Sequence, residues 1–332
     1  MKSYKNHRFW ILSLVTAILV ISIVSLIPHD GYLRYQLLDV GTYKKSKWIY
    51  ERVHFSKTPI DVAFFGTSHT LNGIDSELVE DIVNAQLDTP RHVVNFSIPH
   101  FGRDMHYTLI KLLLEKHKPE LIVLELRESE ARDLHPGTHY LADSLDLLTA
   151  PLILNLRYPG NIIRVPSRNL KSLLHELAYP FTDKALRNDD VADHNNMALS
   201  FYDGRSRDIF ISREELEKQR TAERKSAPYK YQPLPEWKSY LFYNANTEYL
   251  KKIKALTDSK NVRLALLYLP EYGTTSIPLR HPLIQRDIPL ITAPMPFYQR
   301  DDVFNDLGHL NKRGAIVMSE LVAGEIVERI AN

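Results

Sequence analysis

The hydropathy pattern opens with an unbroken apolar run, Phe9 to Ile27 (FWILSLVTAILVISIVSLI), that has no charge and only small hydroxyls as polar side chains. At about 1.5 Å per residue such a helix is roughly 28 Å long, close to the hydrocarbon thickness of a bilayer. A core helix of that length usually carries a polar stripe, and this one has none. From Asp61 the pattern changes to short β-branched or apolar runs alternating with helical periodicity. VAFF (62–65) precedes a helix near Ser76–Ala85, HVVNF (92–96) precedes a helix near Met105–Lys116, and LIVLEL (121–126) follows. The rhythm returns with a helix near Ala245–Thr257, the strand RLALLYL (263–269), a short strand IPLIT (288–292) and a final helix Lys312–Ala331. Alternation of this kind predicts an α/β fold in which helices cover both faces of a parallel sheet. Ligands of such open sheets sit at the carboxyl ends of the strands.

Between about 131 and 240 no sustained strand pattern is found, so the stretch reads as a helical or irregular insertion or lid. It holds HPGTH (135–139), a basic amphipathic patch around Arg164–Lys171, the acidic NDDVADHN (188–195), the charge-dense helix SREELEKQRTAERK (212–225) and YKYQPLPEW (229–237). The charge-dense helix reads as a solvated face with i,i+4 pairs, and the acidic run as a loop. Tyr229, Tyr231 and Trp237 suit sugar stacking or, more plainly, packing on the core. Residues 28–58, with Tyr32, Tyr35, Tyr43, Trp48 and Tyr50 among basic side chains, suit a juxtamembrane stalk near the headgroups, or equally packing on the domain.

Charge orients the apolar run. Lys2, Lys5 and Arg8 precede it, which keeps residues 1–8 in the cytoplasm and sends the rest outward. Lys44, Lys45 and Lys47 oppose this, but they lie farther from the span, and a large downstream domain translocates largely regardless of charge. SLIPHDGY (25–32) lacks a small-x-small cleavage site, so 9–27 reads as an uncleaved signal anchor, followed by a stalk and a domain over 59–332. With 44% hydrophobic and 25% charged residues, the chain of 332 has room for a large core. A net charge of +2 is too small for the footprint of a nucleic-acid binder. Zero cysteines exclude a disulfide scaffold, a thiolate zinc site, a Cys nucleophile and an iron–sulfur cluster.

Two short motifs carry candidate chemistry. The first strand runs into Gly66-Thr67-Ser68-His69-Thr70. A serine there, with a helix starting soon after, can project its hydroxyl above the sheet while helix N-terminal amides face a developing oxyanion. Thr70 stands where the usual nucleophile elbow has its second glycine, and a helix-capping serine is the plainer reading of this motif alone. Near the other end, Asp306 and His309 are three residues apart. On one turn the carboxylate can hold one imidazole nitrogen while the other faces a serine from elsewhere. Either motif is common by chance. Together, after the first strand and before the last helix, they supply what an activated serine needs.

On these residues the chain resembles the SGNH/GDSL hydrolase and acyltransferase superfamily. The first-block serine corresponds to Ser68 in FFGTSHT, and the last-block pair to Asp306 and His309 in NDLGHLNKRGA. VVNFSIPHFG, with Asn95 and Gly102, is similar to the second block. The resemblance covers roughly 62–130 and 240–330. It implies a flavodoxin-like three-layer α/β/α sandwich in which Ser68 is the nucleophile, His309 the base and Asp306 its support. It also implies an oxyanion hole of the Ser68 and Gly102 amides, with Gly102 free of a Cβ so that substrate can come close. The third block departs from the family: Glu125-Leu126-Arg127-Glu128 stands where Gly-x-Asn-Asp is usual, so a side-chain donor is missing. Such a loss typically costs about 3 kcal/mol of transition-state stabilisation. Either Asn95 or Arg127 substitutes for it, or the enzyme tolerates a slower reaction. Arg127 is also the candidate clamp for an anionic substrate, unless it pairs with Glu125 or Glu128.

One N-terminal span with these blocks looks like the membrane-anchored members that move acyl groups onto extracytoplasmic glycans, in teichoic-acid D-alanylation and alginate acetylation. The resemblance implies a cell-envelope glycan or lipid-linked acyl substrate and a multi-spanning membrane-bound O-acyltransferase as partner. No cofactor is expected. His69 diverges from its neighbour Ser68 and is a poor base, and Pro136 and Gly137 disfavour the helix that would let His135 and His139 share a metal, so no metal is expected either. Two rivals stand beside acyl transfer. One is a hydrolytic carbohydrate or lipid esterase with the same triad. The other is a tethered glycan-binding or scaffold protein with decayed catalytic machinery.

Overall fold

The structure is a computed structural model that describes residues 2–38, 43, 45–127, 132–152, 155–178, 209–226, 235–277 and 288–331. Helix α1 (Lys2–Leu26) contains the apolar run, and its stretch His7–Leu26 is long and apolar enough to cross a membrane. A membrane anchor and a signal sequence both meet that description. Residues 27–30 join it to α2 (Gly31–Leu37), whose first turn is capped by the Asp30 carboxylate accepting from the Tyr32 N–H at 2.9 Å. Helix α3 (Lys45–His54) follows.

Five parallel strands then alternate with helices: β1 (Val62–Phe65), α4 (Ser68–Gly73), α5 (Ser76–Asn84), β2 (Val93–Asn95), α6 (Arg103–Lys116) and β3 (Leu121–Glu125). The insertion contributes α7 (Thr138–Leu141), α8 (Ser144–Leu148), α9 (Tyr158–Ala178) and α10 (Arg213–Ser226), with no strand among its described residues. The chain returns through α11 (Glu236–Ser259), β4 (Arg263–Leu267), β5 (Leu290–Ile291) and α12 (Lys312–Ala331). Helix α11 starts earlier than its apolar periodicity predicts, and β5 is shorter than its sequence run.

The strand order is β2-β1-β3-β4-β5, all parallel, with Phe64 in register with Asn95 on one side and Phe65 with Leu124 on the other. Strands buried on both faces must be apolar throughout, which is why they read as continuous runs in the sequence. Alternate residues feed two cores. Ala63, Phe65, Ile122 and Leu124 pack with Leu109 and Leu113 of α6, Leu250 and Ile253 of α11, and Trp48 and Ile49 of α3. Val62, Phe64, Leu121 and Val123 pack on the opposite face with Val79 and Val83 of α5 and Met318, Val322 and Ile326 of α12. The order reverses at β1, so the crevice over the β1 and β3 carboxyl ends is the point where such sheets take ligands.

Of the two expectations for 28–58, packing on the domain is the one observed. Tyr32, Tyr35 and Trp48 are buried, and Arg34 reaches Asp143 at 2.6 Å, so the stretch from α2 onward is part of the folded body rather than a stalk. The acidic run 188–195, Tyr229 and Tyr231 lie outside the described residues, and Trp237 is exposed.

Candidate active site

Ser68 opens α4 three residues after β1, and the local sequence fixes the turn that holds it. Thr67 caps the helix, its hydroxyl accepting from the His69 N–H at 3.2 Å. The Glu125 carboxylate, at the end of neighbouring β3, accepts from the Thr67 N–H at 2.6 Å, the Thr67 hydroxyl at 3.0 Å and the Thr70 hydroxyl at 2.6 Å. Thr70, in place of the expected second glycine, is thus a strut of the turn. A Cβ on Gly66 would come within 2.3 Å of the Thr70 hydroxyl and 2.5 Å of Glu125, so only glycine admits this carboxylate so close to the backbone. Burial opposes ionisation of Glu125, but Arg127 and the donors from Thr70 and Thr67 outweigh it and hold the carboxyl well below its ordinary range.

His309 and Asp306 come from the loop between β5 and α12, which must reach back over β4 and β3 to meet Ser68. Buried Asn311 ties that loop down, donating to the carbonyls of Asp302 at 2.9 Å and Phe304 at 3.2 Å while accepting from the Gly314 N–H at 3.0 Å. Tyr298 donates to the Tyr268 carbonyl at 3.0 Å just beyond β4. Helix α10 buttresses the loop from outside: Leu216 is buried in the core and the Gln219 amide oxygen accepts from the Leu307 N–H at 3.1 Å. The charge-dense helix is therefore not simply a solvated face.

These two supports bring Ser68 Oγ within 2.8 Å of His309 Nε2. His309 Nδ1 lies 2.9 Å from both Asp306 carboxylate oxygens, and that carboxylate also accepts from the N–H groups of Gly308 at 2.8 Å and His309 at 2.9 Å. Burial alone would raise the Asp306 pKa, but the hydrogen bond and charge of His309 and these two amides lower it. An anionic Asp306 keeps the ring proton on Nδ1 and leaves Nε2 free to accept from the serine. Ser68, His309 and Asp306 are all partly exposed. His69 packs beside His309 with ring centroids 4.9 Å apart. Burial, with help from Arg127 and His309, pushes its pKa well down, so His309 has an uncharged neighbour.

The remaining candidates are placed differently. The Asn95 side chain is fully buried and donates to the carbonyls of Thr70 at 3.2 Å and Ile74 at 3.1 Å, so it holds α4 to β2 and is no oxyanion donor. Asn95→Ala should lower the thermal midpoint by about 5 °C or more, because the Thr70 carbonyl keeps only the Ile74 N–H and the Ile74 carbonyl loses the Asn95 donor; an unchanged midpoint in a melting curve contradicts this role. Arg127 is no substrate clamp. It is 1% exposed and donates to Glu125 at 2.8 Å and to the Leu269 carbonyl at 3.0 Å, the pairing with Glu125 that its sequence position also allowed. A Cβ on Gly102 would lie 2.0 Å from the His135 nitrogen, so the space its missing side chain leaves is filled by backbone and not by a substrate. His135 is engaged at both ring nitrogens, by the Pro99 carbonyl at 2.9 Å and the Gly137 N–H at 3.0 Å.

Glu125, Thr70 and Asn311 are the residues that motif reading missed. A glutamate ending a wholly apolar strand was the available signal for the first of them. No protein-family model matches this chain, and no curated protein matches it.

Proposed function

We propose that the chain is a membrane-anchored, extracytoplasmic serine acyltransferase or esterase of SGNH type, working through an acyl-serine intermediate on a cell-envelope glycan. The observation that carries this reading is the Ser68–His309–Asp306 relay, with contacts of 2.8 and 2.9 Å joining residues 241 positions apart. The strand order β2-β1-β3-β4-β5 is the flavodoxin-like one, which favours the three-layer sandwich that the resemblance implies. His309 Nε2 takes the Ser68 proton as Oγ attacks an ester or thioester carbonyl, and Asp306 stabilises the imidazolium that results. Collapse of the tetrahedral adduct expels the alcohol or thiol, which leaves with the proton from His309. A sugar hydroxyl or water then attacks the acyl-serine, giving its proton to the same nitrogen. The Ser68 N–H, at the first position of α4, is the oxyanion donor this reading needs most; no partner for it occurs among the described residues. Partial exposure of Ser68 and His309 favours hydrolysis as the second reading, since water can reach the acyl-enzyme.

A fluorophosphonate probe tests the reading directly. The wild type should be labelled on Ser68, and an unlabelled, folded wild type supports the decayed scaffold instead. Dependence of acyl-enzyme turnover on an added glycan separates transfer from hydrolysis. Topology follows from Lys2, Lys5 and Arg8: a reporter fused after Asn332 should be active only in its extracytoplasmic form, and a cytoplasm-only reporter that works reverses the orientation. The multi-spanning O-acyltransferase implied by the resemblance is the partner class this anchor would keep at high local concentration.

A further inference from the structure

Helix α9 has two opposite faces, and neither is what a helix on a soluble surface needs. Asn161, Val165, Arg168, Asn169 and Ser172 recur at helical spacing and are buried against the body. The residues facing away include Ile163, Leu170, Leu174 and Leu177, spaced seven, four and three apart and therefore one stripe. They are 76%, 44%, 55% and 61% exposed. Adjacent α8 adds Leu145, 66% exposed. A solvated helix carries polar residues on its outer face, and a contiguous apolar one marks an interaction surface.

Its position identifies the occupant. The Asn169 side-chain amide donates to the carbonyls of Ser25 at 2.7 Å and Val24 at 3.4 Å, in the last turn of α1. These are the carbonyls that a helix end leaves without intrahelical partners. Helix α9 is thus fastened where the apolar helix ends. Arg164 and Lys171 each follow a stripe residue by one position and border it with cations, as in helices that lie in the headgroup region of anionic bilayers.

We infer that the outer face of α9, with Leu145, lies in the lipid headgroup–acyl boundary beside the exit of α1. This rests on the reading of α1 as a membrane anchor. The body then touches the bilayer at two places, one spanning and one lying flat, with the stripe about 5–10 Å into the boundary.

The natural absence of cysteine allows single labels on the full chain. Ile163→Cys, Leu174→Cys, Leu19→Cys in α1 and Lys251→Cys on α11 are each labelled with nitrobenzoxadiazole. The proteins are reconstituted in phosphatidylcholine–phosphatidylglycerol vesicles, with quenching by a shallow doxyl-labelled lipid and by aqueous iodide. We expect labels at 163 and 174 to be quenched by the doxyl lipid within about a factor of two of the label at 19, and protected from iodide relative to the label at 251. Labels at 163 and 174 that follow the label at 251 overturn the proposal, with the anchor intact if the label at 19 is still quenched by lipid. Protection from both quenchers also overturns it, since a protein surface then covers the stripe. A label at 19 that lipid does not quench removes the anchor reading, and the proposal falls with it.

Discussion

Ser68→Ala should eliminate fluorophosphonate labelling and lower hydrolysis of p-nitrophenyl acetate by about 10⁴-fold or more, because it removes the proposed nucleophile. His309→Ala should cost nearly as much, since the Ser68 hydroxyl loses the acceptor 2.8 Å away. The two losses should not add: a double variant should be no slower than either single one, because both residues serve one step. Asp306→Asn should cost less than either. It keeps a group beside the ring but removes the charge that fixes the tautomer, and the Asp306 side chain is 36% exposed, so solvent compensates in part. Thermal melting of all variants should match the wild type within a few degrees, as these side chains are partly exposed. Persistent labelling of the Ser68→Ala variant, with the label mapped to another residue, removes the proposed nucleophile.

Glu125→Gln should be the most disruptive isosteric change near the site. The carboxylate faces a buried guanidinium and accepts four donors from the turn that holds Ser68. An amide cannot accept at both ends. Removing one partner of a buried pair costs about 3–5 kcal/mol, which at this chain length reads as a fall of about 10 °C in thermal midpoint. Because the Glu125 pKa is lower folded than its ordinary 4.5, its contribution is fully present above that pH and is lost as pH falls below it. The gap in midpoint between wild type and Glu125→Gln should therefore narrow as the buffer is acidified. Replacing both partners, Glu125→Met with Arg127→Met, should recover part of the stability that Glu125→Met alone loses, since an apolar replacement of a buried pair is often neutral. It should not recover the labelling rate, because Thr67 and Thr70 still lack their acceptor. Recovery of both shows that the carboxylate does not position Ser68.

The sheet was legible in the sequence because its central strands β1 and β3 are buried on both faces and so read as the nearly unbroken apolar runs VAFF and LIVLE. The relay was legible for a different reason: Asp306 and His309 are neighbours on one turn, and Ser68 follows a strand. What local pattern could not reveal was where long-range hydrogen bonds end. Asn95 and Arg127 are polar residues beside the site in sequence, and only the folded register turns them toward Thr70, Ile74 and Leu269. Tyr32, Tyr35 and Trp48 suited a membrane interface and a core equally, since both accept an aromatic ring with a polar edge. The buttress from α10 was hidden for another reason. A helix with one buried leucine, Leu216, has too narrow an apolar stripe to announce a packed face.

The link between α1 and α2, residues 27–30, spans at most about 14 Å when fully extended. With α1 in a bilayer, so short a leash rules out the wide sweep available to enzymes on long flexible tethers. The crevice over the β1 and β3 carboxyl ends would ride at one altitude, and Asn169 would further limit its tilt. Encounters would then occur by lateral diffusion in a plane. Under the proposed acyl transfer, acceptors on polymer segments far from the membrane would escape modification, and those close to their lipid-proximal ends would be modified first.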